Sequence, residues 1–196
     1  MCRCASAIER WGNGSMKWLH VVTGLVMLVV AAAALGARAG TSSDSAQSAG
    51  KFVQEFYDWY VPIAADGKRE GTSFVVALKE RRHNFSGELY RSLMADFRAQ
   101  AASTEEIVGI DWDPFLNSQD PGDYPGDPYR VGEVSQVGEN YRVALYRVVD
   151  GVKDQMPAAT AELGRKSRRW VFTNFLSPDR RDLLGALKLL RSERAK

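Results

Sequence analysis

Hydrophobic and polar positions follow a helical period in the first part of the chain and a period of two further on. Three segments repeat apolar residues at helical spacing: Phe52–Tyr60, Phe74–Arg82 and Ser86–Phe97. Four later segments alternate or run apolar over strand lengths: Tyr129–Val137, Tyr141–Val149, Ala158–Leu163 and Trp170–Phe175. Turn sequences that contain glycine separate these four segments, which predicts an antiparallel meander.

The predicted sheet has one apolar face, which other elements must cover. The N-terminal helices are suited to this, together with a last helix that we expect from about Pro178. Val61-Pro62 should end the first helix, because proline disfavours the helical conformation in the residue before it. Ser86 is a residue type that caps helix N-termini and predicts the start of the third helix. The pattern therefore predicts an α+β fold, with N-terminal helices packed on a four-stranded antiparallel sheet and a C-terminal helix.

The N-terminal region is built like a secretory signal peptide. An apolar run, Leu19–Leu35, follows Lys17 and precedes Ala37-Arg38-Ala39, which is the order of positive charge, apolar core and small residues found in such peptides. Cleavage after Ala39 would give a mature start at Gly40. The alternative is an uncleaved N-terminal helix that anchors the protein in a membrane.

These signals predict the organisation of the whole chain. Residues 1–39 are interpreted as the signal peptide, and residues 1–15 within it as an extension from an upstream start codon, because Met16 is a natural start. Residues 40–50 are small and polar, which predicts a flexible leader. Residues 51–196 are expected to form a single α+β domain.

The cysteine content and the net charge limit the kinds of partner that the protein is expected to bind. Both cysteines, Cys2 and Cys4, precede the expected cleavage site, so the predicted domain has no disulfide and is long enough to fold without one. The whole chain carries a formal charge of +2, but removal of residues 1–39 leaves 22 basic and 23 acidic side chains, a net charge of −1. This balance argues against a nucleic-acid-binding protein. No motif indicates a cofactor, and the partner we expect is an envelope protein or a small ligand.

The long connection over residues 111–128 is the main candidate for a functional site. It contains five aspartates and four prolines. Long connections that form no regular secondary structure often carry function. The candidate ligand-binding residues in it are Asp111, Trp112, Asp113, Phe115 and Asp120.

Three interpretations of this connection remain open. Asp111, Asp113, Asp120 and Asp123 could bind a divalent cation, although the spacing of an EF-hand is absent. Asp111 and Asp113 could instead act in proton transfer, if an adjacent aromatic side chain raised the pKa of one carboxyl. The favoured interpretation is structural: the aspartates cap turns while Trp112, Phe115 and Leu116 close one end of the core.

Two features outside this connection also bear on function. His83 is the single histidine of the predicted domain, so it cannot pair with a second histidine in a metal site, and no conventional triad can be assembled. A basic turn next to Trp170 consists of Arg165, Lys166, Arg168 and Arg169. We interpret this turn as a solvated hairpin tip, with an anionic partner or a lipid surface as the alternative.

Three blocks of the chain carry a family resemblance: Phe52–Pro62, Asp111–Asp120, and Trp170–Phe175 followed by Asp182-Leu183-Leu184. Over most of Lys51–Arg194 the chain resembles bacterial proteins of domain-of-unknown-function family 3828. The resemblance implies a cystatin-like or nuclear-transport-factor-2-like fold with a curved sheet, and an exported or lipoprotein-like envelope protein, but no activity. This chain departs from the family in lacking a lipobox cysteine and in the extension Pro125-Gly126-Asp127-Pro128.

The sequence favours a periplasmic or secreted binding or interaction module, because a signal for export is combined with one domain and no assembled catalytic constellation. One alternative is an enzyme with a buried aspartate in a cone-shaped cavity between sheet and helices. The other is a protein that binds a divalent cation through the aspartate-rich connection. We expect contact with a membrane only through an uncleaved signal segment.

Overall fold

The computed structural model describes residues 43–66, 73–104, 108–119, 128–179 and 181–195. Contacts divide the chain into two units, Met1–Asp44 and Ser45–Lys196. The predicted signal peptide and its cleavage site lie outside the described residues, and so do Asp120 and Asp123. The features below concern the second unit, apart from the first two residues of the first helix.

The described residues form four α-helices, which make up one layer of the fold. They are α1 over residues 43–64, α2 (Ser73–Glu80), α3 (Gly87–Ala102) and α4 (Leu183–Glu193), and a 3-10 turn, Arg82–Asn84, precedes α3. Among the described residues, no helix combines the length and the apolar character needed to cross a membrane.

The first helix differs from the prediction at both ends. It begins at residue 43, so the flexible leader expected over residues 40–50 is wrong for residues 43–50, which are helical. Ala49 and Gly50 are buried, and the side chains of Val131 and Val134 lie within 3.5 Å of the place that a Cβ on Gly50 would take. Small residues allow this close packing but leave little hydrophobic signal in the sequence.

Pro62 does not end α1, contrary to the prediction. The helix continues to residue 64, and the amide of Ala65 still donates to the carbonyl of Val61 at 2.9 Å. A proline in the last turn removes only one hydrogen bond, since the helix ends before further bonds are affected. Burial of Tyr60 and Ala64 favours keeping the last turn helical.

Side-chain caps set the starts of α3 and α4. The hydroxyl of Ser86 accepts a hydrogen bond from the amide of Leu89 at 3.2 Å, which confirms the predicted cap of α3. The last helix starts later than expected from Pro178, because Asp182 accepts from the amide of Gly185 at 2.7 Å and is the cap. Pro178 and Asp179 form a turn instead.

The sheet is a curved antiparallel meander with one strand more than predicted. Its strands are β1 (Tyr129–Val137), β2 (Asn140–Val149), β3 (Val152–Lys153), β4 (Ala159–Lys166) and β5 (Arg169–Leu176). The order is β1-β2-β4-β5, and the two-residue β3 pairs with β2 beside this path. Irregularities in the β1–β2 and β4–β5 pairings interrupt the register, and such bulges increase the local bend and twist of a sheet. The predicted α+β class is confirmed.

Two of the connecting turns contain left-handed backbone, and in both turns at least one of the residues concerned is not glycine. Asp150 and Gly151 have φ angles of 50° and 79° at the turn after β2. Ser167 and Arg168 have φ angles of 50° and 66° at the tip of the β4–β5 hairpin. This conformation suits the twist of a two-residue hairpin, but it is unfavourable for residues with a Cβ, so the β4–β5 tip carries strain.

Aromatic side chains occupy the space between the helices and the sheet, with Phe115 at the centre. The ring of Phe115 is fully buried. Its centroid lies 5.7 Å from that of Phe56, 5.3 Å from that of Phe85 and 5.0 Å from that of Phe175. The connection between α3 and β1 therefore contributes a core residue that touches rings from α1, the segment before α3, and β5.

An ion pair between the buried Asp96 and the partly exposed Arg194 joins α3 to the end of α4. The guanidinium of Arg194 donates to Asp96 at 2.6 Å and to the carbonyl of Val108 at 2.8 Å. The second oxygen of Asp96 accepts from the amide of Ile110 at 3.0 Å. A Cβ on Gly109 would lie 2.6 Å from this carboxylate, so only glycine allows the backbone to approach so closely.

We predict that Phe115→Ala lowers the free energy of unfolding by about 3–5 kcal/mol, because it removes a fully buried ring and leaves a cavity. Phe97→Ala is the matched control, since the same atoms are removed from a partly buried ring, and a loss of about 1–2 kcal/mol is expected. Urea denaturation followed by circular dichroism measures both. Equal losses for the two variants would contradict the central position of Phe115.

Candidate functional site

The connection after α3 folds around the carboxylate of Asp113. One oxygen of this carboxylate accepts from the amides of Phe115 and Leu116, each at 2.9 Å. The backbone then closes a tight loop, in which the amide of Asp113 donates to the carbonyl of Ser118 at 2.7 Å. Asn117 takes a left-handed conformation with φ of 54° to complete this loop. Aspartate and asparagine are the residue types that form such turns most readily.

The second oxygen of Asp113 is bonded to the helical layer. It accepts from the hydroxyl of Tyr60 and from the hydroxyl of Ser73 at 3.3 Å. Burial raises the pKa of Asp113 above its ordinary value, and the hydrogen bonds from Tyr60, Leu116, Phe115 and Ser73 oppose that rise. Both carboxylate oxygens are therefore already engaged in holding the loop against α1 and α2.

Two buried tyrosines beside Asp113 share its surroundings. The hydroxyl of Tyr57 donates to the carbonyl of Phe115 at 2.5 Å. Burial, followed by the charge of Asp113, raises the pKa of both Tyr57 and Tyr60 well above the ordinary value for tyrosine. Both phenols thus stay protonated at neutral pH and act as hydrogen-bond donors.

A pocket of about 350 Å³ opens on the outer side of this loop, where the loop meets the end of β5 and the start of α4. We call it the loop pocket. Its apolar surface is formed by Trp112, Pro114, Ala159, Phe175, Leu176, Leu183 and Ala186. Its polar surface is formed by Asp111, Asn117, Gln119, Ser177, Arg181 and Asp182. An apolar surface with a few polar groups is typical of sites for small organic ligands.

The charges around the loop pocket are unevenly balanced. Arg181 pairs with Asp179 at 2.6 Å, so its positive charge is already compensated. Asp182 accepts from Asn174 at 3.0 Å, and this bond is the main cause of the lowered pKa of its carboxyl. Asp111 accepts from Gln119 at 3.2 Å. Among the described residues, no cation lies within salt-bridge distance of Asp111 or Asp182, although the charge of Lys188 also contributes to lowering the pKa of Asp182.

The structure separates the predicted site residues into two groups. Asp111 and Trp112 line the loop pocket. Asp113 and Phe115 are buried on the inner side of the loop, together with Leu116, as the structural interpretation expects. Trp112 is only partly buried. Asp120 lies outside the described residues, so its place is not assigned.

The arrangement gives the cation interpretation no support within the described residues. They contain no group of three or more histidine, cysteine, aspartate or glutamate side chains that could hold a metal ion. Asp113 is turned inward towards Tyr60, whereas Asp111 lies at the pocket. The complete set of four aspartates includes Asp120 and Asp123, so that interpretation stays an untested prediction.

The sequence did not indicate the residues of the loop pocket that come from outside the connection after α3. Phe175, Arg181, Asp182 and Ala186 come from β5, the following turn and α4, far along the chain from Trp112. Only the folding of α4 next to the loop brings them together, and no local pattern indicates that neighbourhood. Asp182 stands immediately before a leucine-rich segment, which is the usual position of a helix-capping aspartate. This is the one signal in the sequence that could have indicated a fixed position for Asp182.

Comparison of the chain with protein-family models, curated proteins and solved structures gives no match. The resemblance to family 3828 and the cystatin-like fold that it implies therefore remain predictions.

We predict a pH-dependent effect of Asp113→Asn on stability. Burial raises the pKa of Asp113 in the folded state above the ordinary value of 3.8. At pH values between the ordinary and the raised pKa, the folded state therefore binds more protons than the unfolded state. The contribution of Asp113 to stability therefore falls as the pH rises through the raised pKa. An asparagine can still accept the two backbone hydrogen bonds but does not ionise. The unfolding free energy of Asp113→Asn, minus that of the unaltered chain, should increase with pH over this range.

Urea denaturation at a series of pH values measures this difference. Asp113→Ala is the comparison variant, because it removes the acceptors and leaves the Phe115 and Leu116 amides unpaired. A loss of about 2 kcal/mol or more is expected from it even at the lowest pH at which the chain stays folded. A difference between Asp113→Asn and the unaltered chain that decreases with pH, or does not change, would contradict the raised pKa.

Proposed function

We propose that the protein is an exported binding module that takes a small ligand into the loop pocket. The observation that carries this proposal is the pocket beside Trp112, which combines an aromatic and aliphatic surface with a few fixed polar groups. A volume of about 350 Å³ is within the range of sites for small molecules. The turn around Asp113 holds one side of the pocket rigid, which reduces the entropy lost on binding.

The charges at the pocket favour a ligand with an apolar body and a cationic or neutral hydrogen-bonding group. Asp111 and Asp182 offer carboxylate oxygens, while Arg181 is occupied by Asp179. An ammonium group could bind between these carboxylates with its apolar part against Trp112. A carboxylate on the same body would be repelled by the carboxylates of Asp111 and Asp182 and would bind more weakly.

Proton transfer by Asp113 is less well supported. A general acid or base must reach a substrate atom within hydrogen-bond distance. Asp113 is on the inner side of the loop, and its oxygens are engaged by Tyr60, Ser73 and two backbone amides. These bonds account for its burial without a substrate.

Export and the family fold belong to the same proposal. The order of Lys17, Leu19–Leu35 and Ala37-Arg38-Ala39 supports secretion to a periplasm or to the exterior. A curved antiparallel sheet covered by helices is compatible with a cystatin-like or nuclear-transport-factor-2-like fold, which supports the resemblance to family 3828.

Binding in the loop pocket is tested with two matched probes, phenethylamine and phenylacetate. We expect phenethylamine to shift the indole N–H resonance of Trp112 in a saturable way, and phenylacetate to bind at least about fivefold more weakly because of the two carboxylates. Ala186→Phe should fill the pocket and abolish the shift. Leu189→Phe, an exposed position on the same helix, should leave it unchanged. The proposal fails if neither probe gives a saturable shift, or if Ala186→Phe binds as the unaltered chain does.

Cleavage is tested separately by mass spectrometry of the protein recovered from a bacterial host that exports it. The expected N-terminus is Gly40. Ala39→Arg removes a small residue that signal peptidase needs, and it should leave the precursor uncleaved. Recovery of the unaltered protein with Met1 or Met16 at its N-terminus would contradict cleavage and would favour an anchored form.

A further inference from the structure

A second pocket, of about 470 Å³, lies between α1, the 3-10 turn and the tip of the β4–β5 hairpin, at the end of β5 away from its junction with α4. We call it the arginine pocket. Four arginines line it: Arg81, Arg165, Arg168 and Arg169. Glu55 is the one acidic side chain among the described residues of its lining, and Lys51 lies 3.7 Å from that carboxylate. The pocket therefore carries a clear excess of positive charge, although the predicted domain as a whole is close to neutral.

Within the part of the chain that the structure describes, the charges of these arginines are not paired with carboxylates. Among the residues that the structure describes, none of the four has a carboxylate within salt-bridge distance. By contrast, arginines elsewhere on the sheet do pair, as Arg142 does with Glu162 at 2.8 Å. The four arginines of the pocket outnumber the single carboxylate of Glu55 in the described lining, so their positive charges repel one another, and a bound anion would relieve that repulsion.

Aromatic rings hold two of the arginines in position. The guanidinium of Arg165 lies over the ring of Trp170, 4.0 Å from its centroid, and that of Arg81 lies 4.7 Å from the centroid of Trp59. Trp170 is itself fixed, because its indole N–H donates to the hydroxyl of Ser48 at 2.7 Å. Stacking of this kind already restricts the arginine side chains, so they lose less conformational entropy when an anion binds.

The strained hairpin tip places a third arginine at the pocket. Arg168 has a φ angle of 66°, a conformation that glycine adopts at much lower cost. A glycine at this position would relieve the strain but would remove a cation from the pocket.

We infer that the arginine pocket binds a phosphate-type oxyanion, either a free phosphate ester or the phosphate of a lipid headgroup. Several guanidinium groups around one pocket suit a multiply charged oxyanion better than a single carboxylate, because each can donate two parallel hydrogen bonds to it. Phe52, Phe56 and Trp170 give the pocket an apolar side, which suits an ester with an organic part. This site is separate from the loop pocket, and its function does not depend on a ligand there.

The test uses Arg168→Gly and Ser167→Gly, which both relieve left-handed strain at the hairpin tip. Each should raise Tm, so neither is expected to impair folding. Only Arg168→Gly removes a cation. Titration with inorganic phosphate at constant ionic strength, followed by the indole N–H resonance of Trp170, should be saturable. Arg168→Gly should weaken it on the order of tenfold, and Ser167→Gly should leave it unchanged.

A second arm distinguishes the source of the phosphate. Vesicles of phosphatidylglycerol and of phosphatidylcholine are compared in a flotation assay, since the uncharged lipid controls for insertion of the apolar N-terminal segment. Preference for phosphatidylglycerol that Arg168→Gly reduces supports a lipid headgroup, and phosphate binding without that preference supports a free ester. The inference is overturned if phosphate gives no saturable shift and the vesicles show no preference. It is also overturned if both glycine variants change binding equally.

Discussion

The carboxylate of Asp113 holds together two parts of the structure that are distant in sequence. One of its oxygens shapes the loop after α3, and the other is bound by hydroxyls from α1 and α2. The loop in turn inserts Phe115 among the rings of the core and presents Trp112 to the outside. One buried acidic group thus fixes both the interior of this end of the fold and the shape of the loop pocket. Burying it without these bonds would be unfavourable, because a carboxylate in an apolar setting needs partners.

Elements with a regular pattern could be predicted closely from the sequence. The first strand matches Tyr129–Val137 at both ends, since alternation and a glycine turn mark its limits. The start of α1 could not be predicted, because its packing against β1 depends on small residues such as Ala49 and Gly50, which carry little hydrophobic signal. The two-residue β3 was missed for a different reason: its side chains are exposed on both faces, so no alternation marks it.

The loop pocket and the arginine pocket could likewise be predicted only in part. Sequence reasoning found the loop that carries Trp112, and it found the basic turn around Arg168. It could not find Ala186 or Arg81, which complete the two pockets from other elements. Local composition indicates where unusual chemistry lies along the chain, whereas the opposite wall of a pocket depends on how the helices are placed on the sheet.

The ion pair between Asp96 and Arg194 has a consequence for the order in which the fold assembles. The two residues are 98 positions apart, and the whole sheet is formed by the chain between them. Before α4 is in place, the Asp96 carboxylate lacks its guanidinium partner and remains hydrated, so the contact between α3 and α4 is expected to close only after the chain between them has folded. Contacts of such long sequence separation form slowly, because the loop entropy must be lost first. The described chain after β5 returns to α3 only through α4, so this helix can detach without breaking a strand pairing, which exposes it to local unfolding and to attack by proteases.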